Sequence, residues 1–314
     1  MCADESSSRQ QFHVAVTAPD SSAVELLAAA SGFSKQQLKK LMQSGAVWLT
    51  QGKQTKRLRR AKKALPAGTE LHLYYDQKVQ QAEIVEPQLL ADEGDYSVWV
   101  KACGMMSQGS KWGDQGTIAR WAEQHLQPQR PAFIVHRLDR ATRGLILVAH
   151  SKKAVRALTA MFESRQLKKR YRAKVLGDHS CRAQPETITE PIDGRHAVSH
   201  VSCVAVDCLG HCSIVDIDIE TGRKHQIRRH LAGVGLPIIG DRLYGAGEGA
   251  GKGVSEVLVD QPEQRQQRDQ SEYKQEKQDL QLAATHLAFV CPLTGQARDY
   301  RLPAQYLPRL LGGE

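Results

Sequence analysis

Two periodicities organise the chain. From residue 22 the spacing is helical. Leu26, Leu27 and Ala30 form one apolar stretch, Gly32 interrupts it, and Ser34 stands where it can cap a second helix carrying Leu38, Leu41 and Met42. Gly45 ends that helix, and Ala46-Val47-Trp48-Leu49 reads as a short strand. Leu71, Leu73 and Tyr75 alternate with His72 and Tyr74, which predicts another strand. Strands are also expected at Tyr96–Lys101, Ile134–Leu138, Leu145–His150, Arg170–Val175 and Ile214–Ile219. Helices are expected at 117–126, Lys152–Arg165 and His225–Ala232. The second of these is amphipathic, with Val155, Leu158, Met161 and Phe162 on one face. A Gly/Pro-rich stretch, Gly233–Gly245, follows the last. Residues 246–280 turn to Gln, Glu, Lys and Arg and read as an exposed, partly disordered insertion, with order resuming over Leu282–Pro292. The pattern divides the chain into an N-terminal tail (1–21), a small module (22–76), a linker (77–95) and a large domain (96–312).

Composition narrows the function. Apolar residues make up 41% of the 314, enough for a substantial core, and a net charge of +9 favours a polyanionic partner. No apolar run approaches the roughly 20 residues needed to span a bilayer, so no membrane partner is expected. The opening MCADESSSRQ is polar and acidic and does not look like a signal peptide. Seven cysteines, an odd number, indicate reduced thiols and a cytoplasmic setting. Cys203, Cys208 and Cys212, with His211 beside them, show only one side of a zinc-site pattern and read as ordinary strand and turn thiols. Neither a metal nor a cofactor is expected, and a monomer is.

The small module is basic. Lys53, Lys56, Arg57, Arg59, Arg60, Lys62 and Lys63 stand between Gly52 and Leu65 without an acidic residue, and Lys35, Lys39 and Lys40 lie on the preceding helix. Such a cluster neutralises phosphates and releases counterions. Its helix SKQQLKKLMQSGAVWL and its strand LHLYY resemble the small alpha-L RNA-binding domain first seen in a ribosomal small-subunit protein. That resemblance covers about 22–76, and QGKQTKRLRR departs from the usual short turn.

Two clusters carry candidate chemistry. His136-Arg137-Leu138-Asp139-Arg140 sets one carboxylate among cations, which favour its ionised form, in a polar turn before the strand Leu145–Val148. The bland alternative is a structural ion pair that ties the turn down. Glu220-Thr221-Gly222-Arg223-Lys224-His225-Gln226-Ile227-Arg228-Arg229-His230 follows a strand and opens a helix, whose N-terminus and cations suit an anion. His225 and His230 are five residues apart, the wrong spacing for paired helical zinc ligands.

These same residues resemble the RluA-type pseudouridine synthases. His136 to Leu145 is similar to that family's HRLD-x-x-T-x-G-L signature, and Thr221 to His230 to its TGR-x-HQIR-x-H segment. Gly235 to Asp241 and Tyr244-Gly245 continue as G-x-P-I-x-GD and YG, and Lys169-Arg170-Tyr171 matches a K-x-Y strand motif. The chain departs from the family at Lys101-Ala102, where Lys-Pro is usual, at Gly104–Gly116, at Leu282-Ala283-Ala284 and at Cys291-Pro292. The resemblance implies an α+β fold: a mixed, mainly antiparallel sheet with flanking helices, plus the small α/β N-terminal RNA-binding domain. It implies isomerisation of uridine to pseudouridine in RNA, without cofactor. Asp139 would act as nucleophile or as the base that starts elimination, Arg228 would pair with it, and Tyr171 would stack on uracil and assist proton removal. Arg137 would fill the space left by a flipped base. RNA contacts are expected from His136, Arg140, Arg223, His225, Gln226, Lys39, Lys40, Arg57, Arg59 and Arg60. Ribosomal RNA is the expected partner and transfer RNA the alternative. A non-catalytic RNA-binding or ribosome-assembly protein is the competing reading, and a metal-dependent hydrolase would need ligand clusters that the spacing does not offer.

Overall fold

The computed structural model describes residues 9–208, 211–245 and 279–310. Most of the expected insertion, 246–278, lies outside the described residues, as do 1–8 of the expected tail. The chain forms two compact units, one of residues 1–87 with 105–137 and one of residues 88–104 with 138–314. No helix among the described residues is long and apolar enough to cross a membrane.

In the first unit, strands β1 (Arg9–Val16), β2 (Val47–Gln51), β3 (Gln54–Arg57) and β4 (Thr69–Asp76) form an antiparallel sheet in the order β1-β4-β2-β3. Helices α1 (Ala23–Ser31) and α2 (Lys35–Gln43) start where the caps stand: the hydroxyls of Ser22 and Ser34 accept from the amides of Glu25 and Gln37. Gly32 ends α1 with φ +72°, a conformation that favours glycine. Leu27, Leu38, Met42, Val47, Leu71 and Leu73 are buried together. Alternation then sends His72, Tyr74, Trp48 and Thr50 to the sheet's other face.

The first unit is larger than the module predicted at 22–76. Strand β1, of 8 residues, lies within the expected tail, because Phe12, Val14 and Val16 alternate inward onto the core. The short, polar-flanked run hides that period. The loop expected after β2 contains β3, and the expected linker contains the one-turn helix α3 (Gln77–Gln80). Residues 105–137, expected in the large domain, belong here with helix α4 (Ile118–His125) and the two-residue strand β7 (Phe133–Ile134). Asp114 N donates to Ser44 O (2.9 Å), Trp48 Nε1 to Lys111 O (3.0 Å) and Gln80 Nε2 to Trp112 O (3.1 Å), strapping this segment to the module. The strand expected over Ile134–Leu138 ends at Ile134.

The second unit contains β5 (Gln88–Asp92), β6 (Tyr96–Lys101), β8 (Arg143–Ala149), β9 (Leu167–Leu176), β10 (Glu186–Ile188), β11 (Ser199–Val206), β12 (Cys212–Ile219), β13 (Leu282–Val290) and β14 (Ala297–Arg301). Their order is β10-β11-β12-β9-β13-β8-β6-β5, with β14 beside β13. All pairings are antiparallel except β13 with β8, so the sheet is mixed and mainly antiparallel, as expected. Strand β8 reads RGLILVA and is buried throughout Leu145–Ala149, the continuous apolar run of a strand covered on both faces. Helix α5 (Lys152–Glu163), capped by Ser151, buries Ala154, Leu158 and Met161, and helix α6 (Gln226–Gly233) follows β12.

The parallel contact is made where β8 begins. Gly144 has φ +117°, and a side chain there would collide with the amide and carbonyl of Ala284 on β13. Gly144→Ala is therefore expected to destabilise the protein by about 1–3 kcal/mol or more through overpacking and backbone strain. A denaturant midpoint equal to that of the unsubstituted protein would contradict this close approach.

Candidate active site

The turn bearing Asp139 is fixed from beneath by the end of β6. Lys101, fully buried, donates from Nζ to the carbonyls of Ala102 (3.0 Å) and Arg140 (3.2 Å). Gly104 N donates to Arg140 O at 2.9 Å, and Arg140 Nε returns a bond to Gly104 O at 2.9 Å. Cys103 Sγ donates to Ala141 O (3.1 Å), and Thr142 N closes the turn on Asp139 O (3.1 Å). Burial pushes the Lys101 ammonium down to about 8, against the opposing pull of Cys103 and Asp139. The carboxylate itself stays open to solvent, with 28% of its side chain exposed.

Helix α6 brings the cation. Its N-cap, His225, adopts φ +54°, and Gln226 is buried just behind it. The Gln226 amide accepts from Thr221 Oγ1 (2.7 Å) and Arg223 N (3.0 Å) and donates to Val198 O (2.9 Å) and Ser199 Oγ (3.1 Å). Gln226 therefore locks the loop, with its amide oxygen and nitrogen both bonded inside the protein. Two residues on, Arg228 NH1 reaches Asp139 Oδ2 at 3.8 Å, and His225 Nε2 reaches the same oxygen at 3.9 Å.

The tighter partner of Arg228 is another carboxylate. Asp241 receives its Nε and NH2 at 2.7 Å each, in a two-pronged pair with both side chains buried. The amides of Leu243 (2.9 Å) and Tyr244 (3.1 Å) donate to the same carboxylate. Burial alone would raise the Asp241 carboxyl, but the Arg228 bonds and these amides outweigh it and hold it below its ordinary value. Burial likewise works against Arg228, and the bonds to Asp241 and the charge of Asp139 leave it raised. His225 is lowered, burial outweighing the pull of Asp139, which favours its neutral, hydrogen-bonding form. Its Nδ1 lies 3.0 Å from the Tyr244 hydroxyl, and the Tyr244 ring stands 5.1 Å from Arg228 Cζ.

Tyr171 projects from β9, paired with Ile217 and Ala284 on the flanking strands. It is almost wholly buried. Burial raises its hydroxyl well above the usual value, and the nearby Asp139 charge adds to that. The second unit thus unites Asp139, Tyr171, Arg228 and His225.

Other expected site residues are distributed differently. His136 and the exposed Arg137 close the first unit's segment, next in sequence to this turn. Arg223 donates to His196 O (3.0 Å). Lys39, Lys40 and Arg60 are exposed, as phosphate contact requires. Arg57 and Arg59, only partly exposed, find partners inside the first unit. Arg57 donates to the carbonyls of Gly45 and Ser110 and pairs with Asp114 (3.1 Å), while Arg59 donates to Gln43 O and to Asp114. Asp241 and Tyr244 went without a role in the sequence, although both stand in the motif-like stretch after α6.

Known proteins share this arrangement of sequence and fold. Residues 95–233 match the family model described as RNA pseudouridylate synthase. An uncharacterized RNA pseudouridine synthase of Chloroflexus aurantiacus is 35% identical over 46% of this chain and 50% of its own. The ribosomal large subunit pseudouridine synthase D of Pseudomonas aeruginosa is 29% identical over 64% of this chain and 68% of its own. The chain thus spans between half and about two thirds of the length of these relatives. The solved structure of human RNA pseudouridylate synthase domain containing 1 shares the fold, with TM-score 0.53 and 19% identity over 72% of this chain and 87% of that one.

The Arg228–Asp241 pair makes a testable demand. Asp241→Asn should cost about 3–5 kcal/mol, because it leaves a buried guanidinium without its tight partner. A carboxyl depressed in the folded state stabilises above its unfolded pKa of about 4 and stops doing so as pH falls through its folded value. Thermal unfolding of the natural protein should therefore lose stability at acid pH, and Asp241→Asn should flatten that dependence. Parallel pH curves for the two proteins would show that the pair does not act this way.

Proposed function

We propose that the chain is an RluA-type RNA pseudouridine synthase that isomerises uridine to pseudouridine within structured RNA, ribosomal RNA first. One observation carries the reading. A partly exposed carboxylate, Asp139, faces Arg228 and His225 at under 4 Å and lies within electrostatic reach of the Tyr171 hydroxyl. The reaction breaks the bond from ribose to a ring nitrogen, turns the uracil, and rejoins the sugar to a ring carbon. That carbon loses a proton and the freed nitrogen gains one, with no net redox change. One charged carboxylate suffices to start it, as nucleophile at sugar or base or as the base for elimination.

The surrounding groups divide the remaining work. Arg228 keeps Asp139 oriented and charged through its third nitrogen while Asp241 holds the other two. Tyr171 offers an aromatic face to the uracil. Its raised pKa keeps the hydroxyl protonated at rest, so it can take the ring-carbon proton only after passing its own to a neighbour, and Asp139 is the carboxylate within reach. The target base must leave the helical stack, at about a few kcal/mol, and Arg137 suits the vacated space through its flat cation. The N-terminal unit, similar to an alpha-L domain, supplies RNA affinity through the exposed Lys39, Lys40 and Arg60. We read the enzyme as a cytoplasmic monomer. Ribosomal RNA is preferred over transfer RNA because a relative bears the name ribosomal large subunit pseudouridine synthase D.

Asp139→Asn should lower pseudouridine formation by about 10²–10⁴-fold or more while RNA affinity stays within a few-fold. Retained turnover would end the catalytic assignment. Pseudouridine maps of ribosomal and transfer RNA from cells lacking the protein identify the substrate, and loss of sites in transfer RNA alone would overturn the ribosomal preference. Lys39→Ala with Lys40→Ala should weaken RNA binding across sequences and reduce the slope of log affinity against log salt by about 1 per lysine. A slope unchanged by both substitutions would remove the helix from the RNA interface.

A further inference from the structure

The outer face of the first sheet carries side chains that uridine isomerisation does not use. His13 on β1 and His72 on β4 are direct cross-strand partners. Glu70 precedes His72 by two residues, so the two side chains leave the same face. Thr50 on β2 stands opposite Glu70. His13 Nδ1 and His72 Nδ1 are 2.7 Å apart. Glu70 closes the third side, with Oε1 3.9 Å from His13 Nδ1 and Oε2 4.0 Å from His72 Nε2. Among the described residues this is the one group of three His, Cys, Asp or Glu whose ligand atoms all lie within 4.8 Å of one another.

Two imidazole nitrogens at that separation cannot both present bare lone pairs. Either a proton or another cation must lie between them. We propose that His13, His72 and Glu70 bind a divalent transition-metal ion of the zinc class on the outer face of the N-terminal sheet, with its remaining coordination positions open to solvent.

The donor set identifies the class of ion. Two imidazoles and one carboxylate suit zinc and its first-row neighbours, whereas calcium and magnesium take oxygen ligands. The second shell is built as well. His72 Nε2 lies 2.7 Å from Thr50 Oγ1, which is 2.8 Å from Thr55 Oγ1. When Nε2 donates to that hydroxyl, the lone pair of His72 sits on Nδ1 and points at His13, the outer-sphere bond that orients ligating histidines.

The geometry needs only a small adjustment. Zinc–nitrogen distances of about 2.0–2.1 Å at a tetrahedral angle set the two nitrogens about 3.4 Å apart. His13 must swing outward by roughly 0.7 Å, and Glu70, whose Oε1 lies 3.9 Å from His13 Nδ1, must move in toward the ion. Both side chains are 49% exposed and have room to move, while His72, at 11%, is the anchor.

The test uses the full chain, stripped with a chelator and titrated by calorimetry with zinc and by visible absorption with cobalt. One equivalent should bind with a nitrogen- and oxygen-type cobalt spectrum. His13→Ala and Glu70→Gln, both at exposed positions that the fold tolerates, should each weaken that equivalent at least about 10-fold. A variant with Cys203→Ser, Cys208→Ser and Cys212→Ser should bind it unchanged. The proposal is overturned if no equivalent binds, if His13→Ala and Glu70→Gln bind as tightly as the natural chain, or if cobalt gives thiolate charge-transfer bands lost in the cysteine variant.

Discussion

A guanidinium has five N–H donors on three nitrogens in one plane, and the second unit's site depends on how Arg228 distributes them. Asp241 occupies Nε and NH2 at 2.7 Å, which fixes the plane and leaves only NH1 for Asp139, at 3.8 Å. The result is an asymmetric pair of carboxylates. One is fully buried, doubly bonded by arginine and capped by two amides. The other is partly exposed and held at a looser distance. A buried ion pair is a poor source of net stability, since desolvating both charges offsets most of their attraction. What it supplies here is orientation: the catalytic candidate can face substrate because its cation is already anchored by another acid.

The turn is constrained from the opposite side by Lys101. Burying a lysine ammonium is costly, and its depressed proton affinity, down to about 8, registers that cost. Its ammonium is directed to main-chain carbonyls at Ala102 and Arg140, so it acts on the path of the backbone on either side of the turn. The continuous apolar strand β8 begins immediately after, and its first residues leave no room beside Ala284. Asp139 thus sits on a short span pinned at both ends, the rigid support that a reacting side chain needs.

Sequence reasoning succeeded where a feature is local and failed where it is assembled across strands. The serine caps of α1 and α2, the glycine stop at Gly32 and the amphipathic α5 all lie in single windows, and each stands where spacing predicts. Asp139, Tyr171 and Arg228 are candidates through motif resemblance, because each alone reads as an ordinary turn, strand or helix residue. Asp241 was missed: an aspartate after a glycine reads as a turn former until the fold brings Arg228 to it, 13 positions away in the chain. The His13–Glu70–His72 group was invisible for the same reason in stronger form. His13 is more than 50 residues from Glu70 and His72, and only the β1–β4 register brings it to their face.

The basic module shows why a charge count does not translate into an interface. Seven cations between Gly52 and Leu65 read as one phosphate-binding patch, yet Arg57 and Arg59 turn inward to carbonyls of the α2–β2 corner and to Asp114 on the 105–137 segment. The lysines Lys53, Lys56, Lys62 and Lys63 remain exposed. The division follows from the side chains. Arginine's fixed fork satisfies several acceptors at once and repays ordering, whereas lysine is a flexible, strongly hydrated point charge that gains little from internal carbonyls. A segment that brings one aspartate and a few carbonyls to this surface captures Arg57 and Arg59, which lie within its reach, and leaves Arg60 and the lysines to solvent. The exposed lysines and Arg60 keep the surface attractive to a polyanion, since that attraction depends on exposed charge near phosphates and not on a fork.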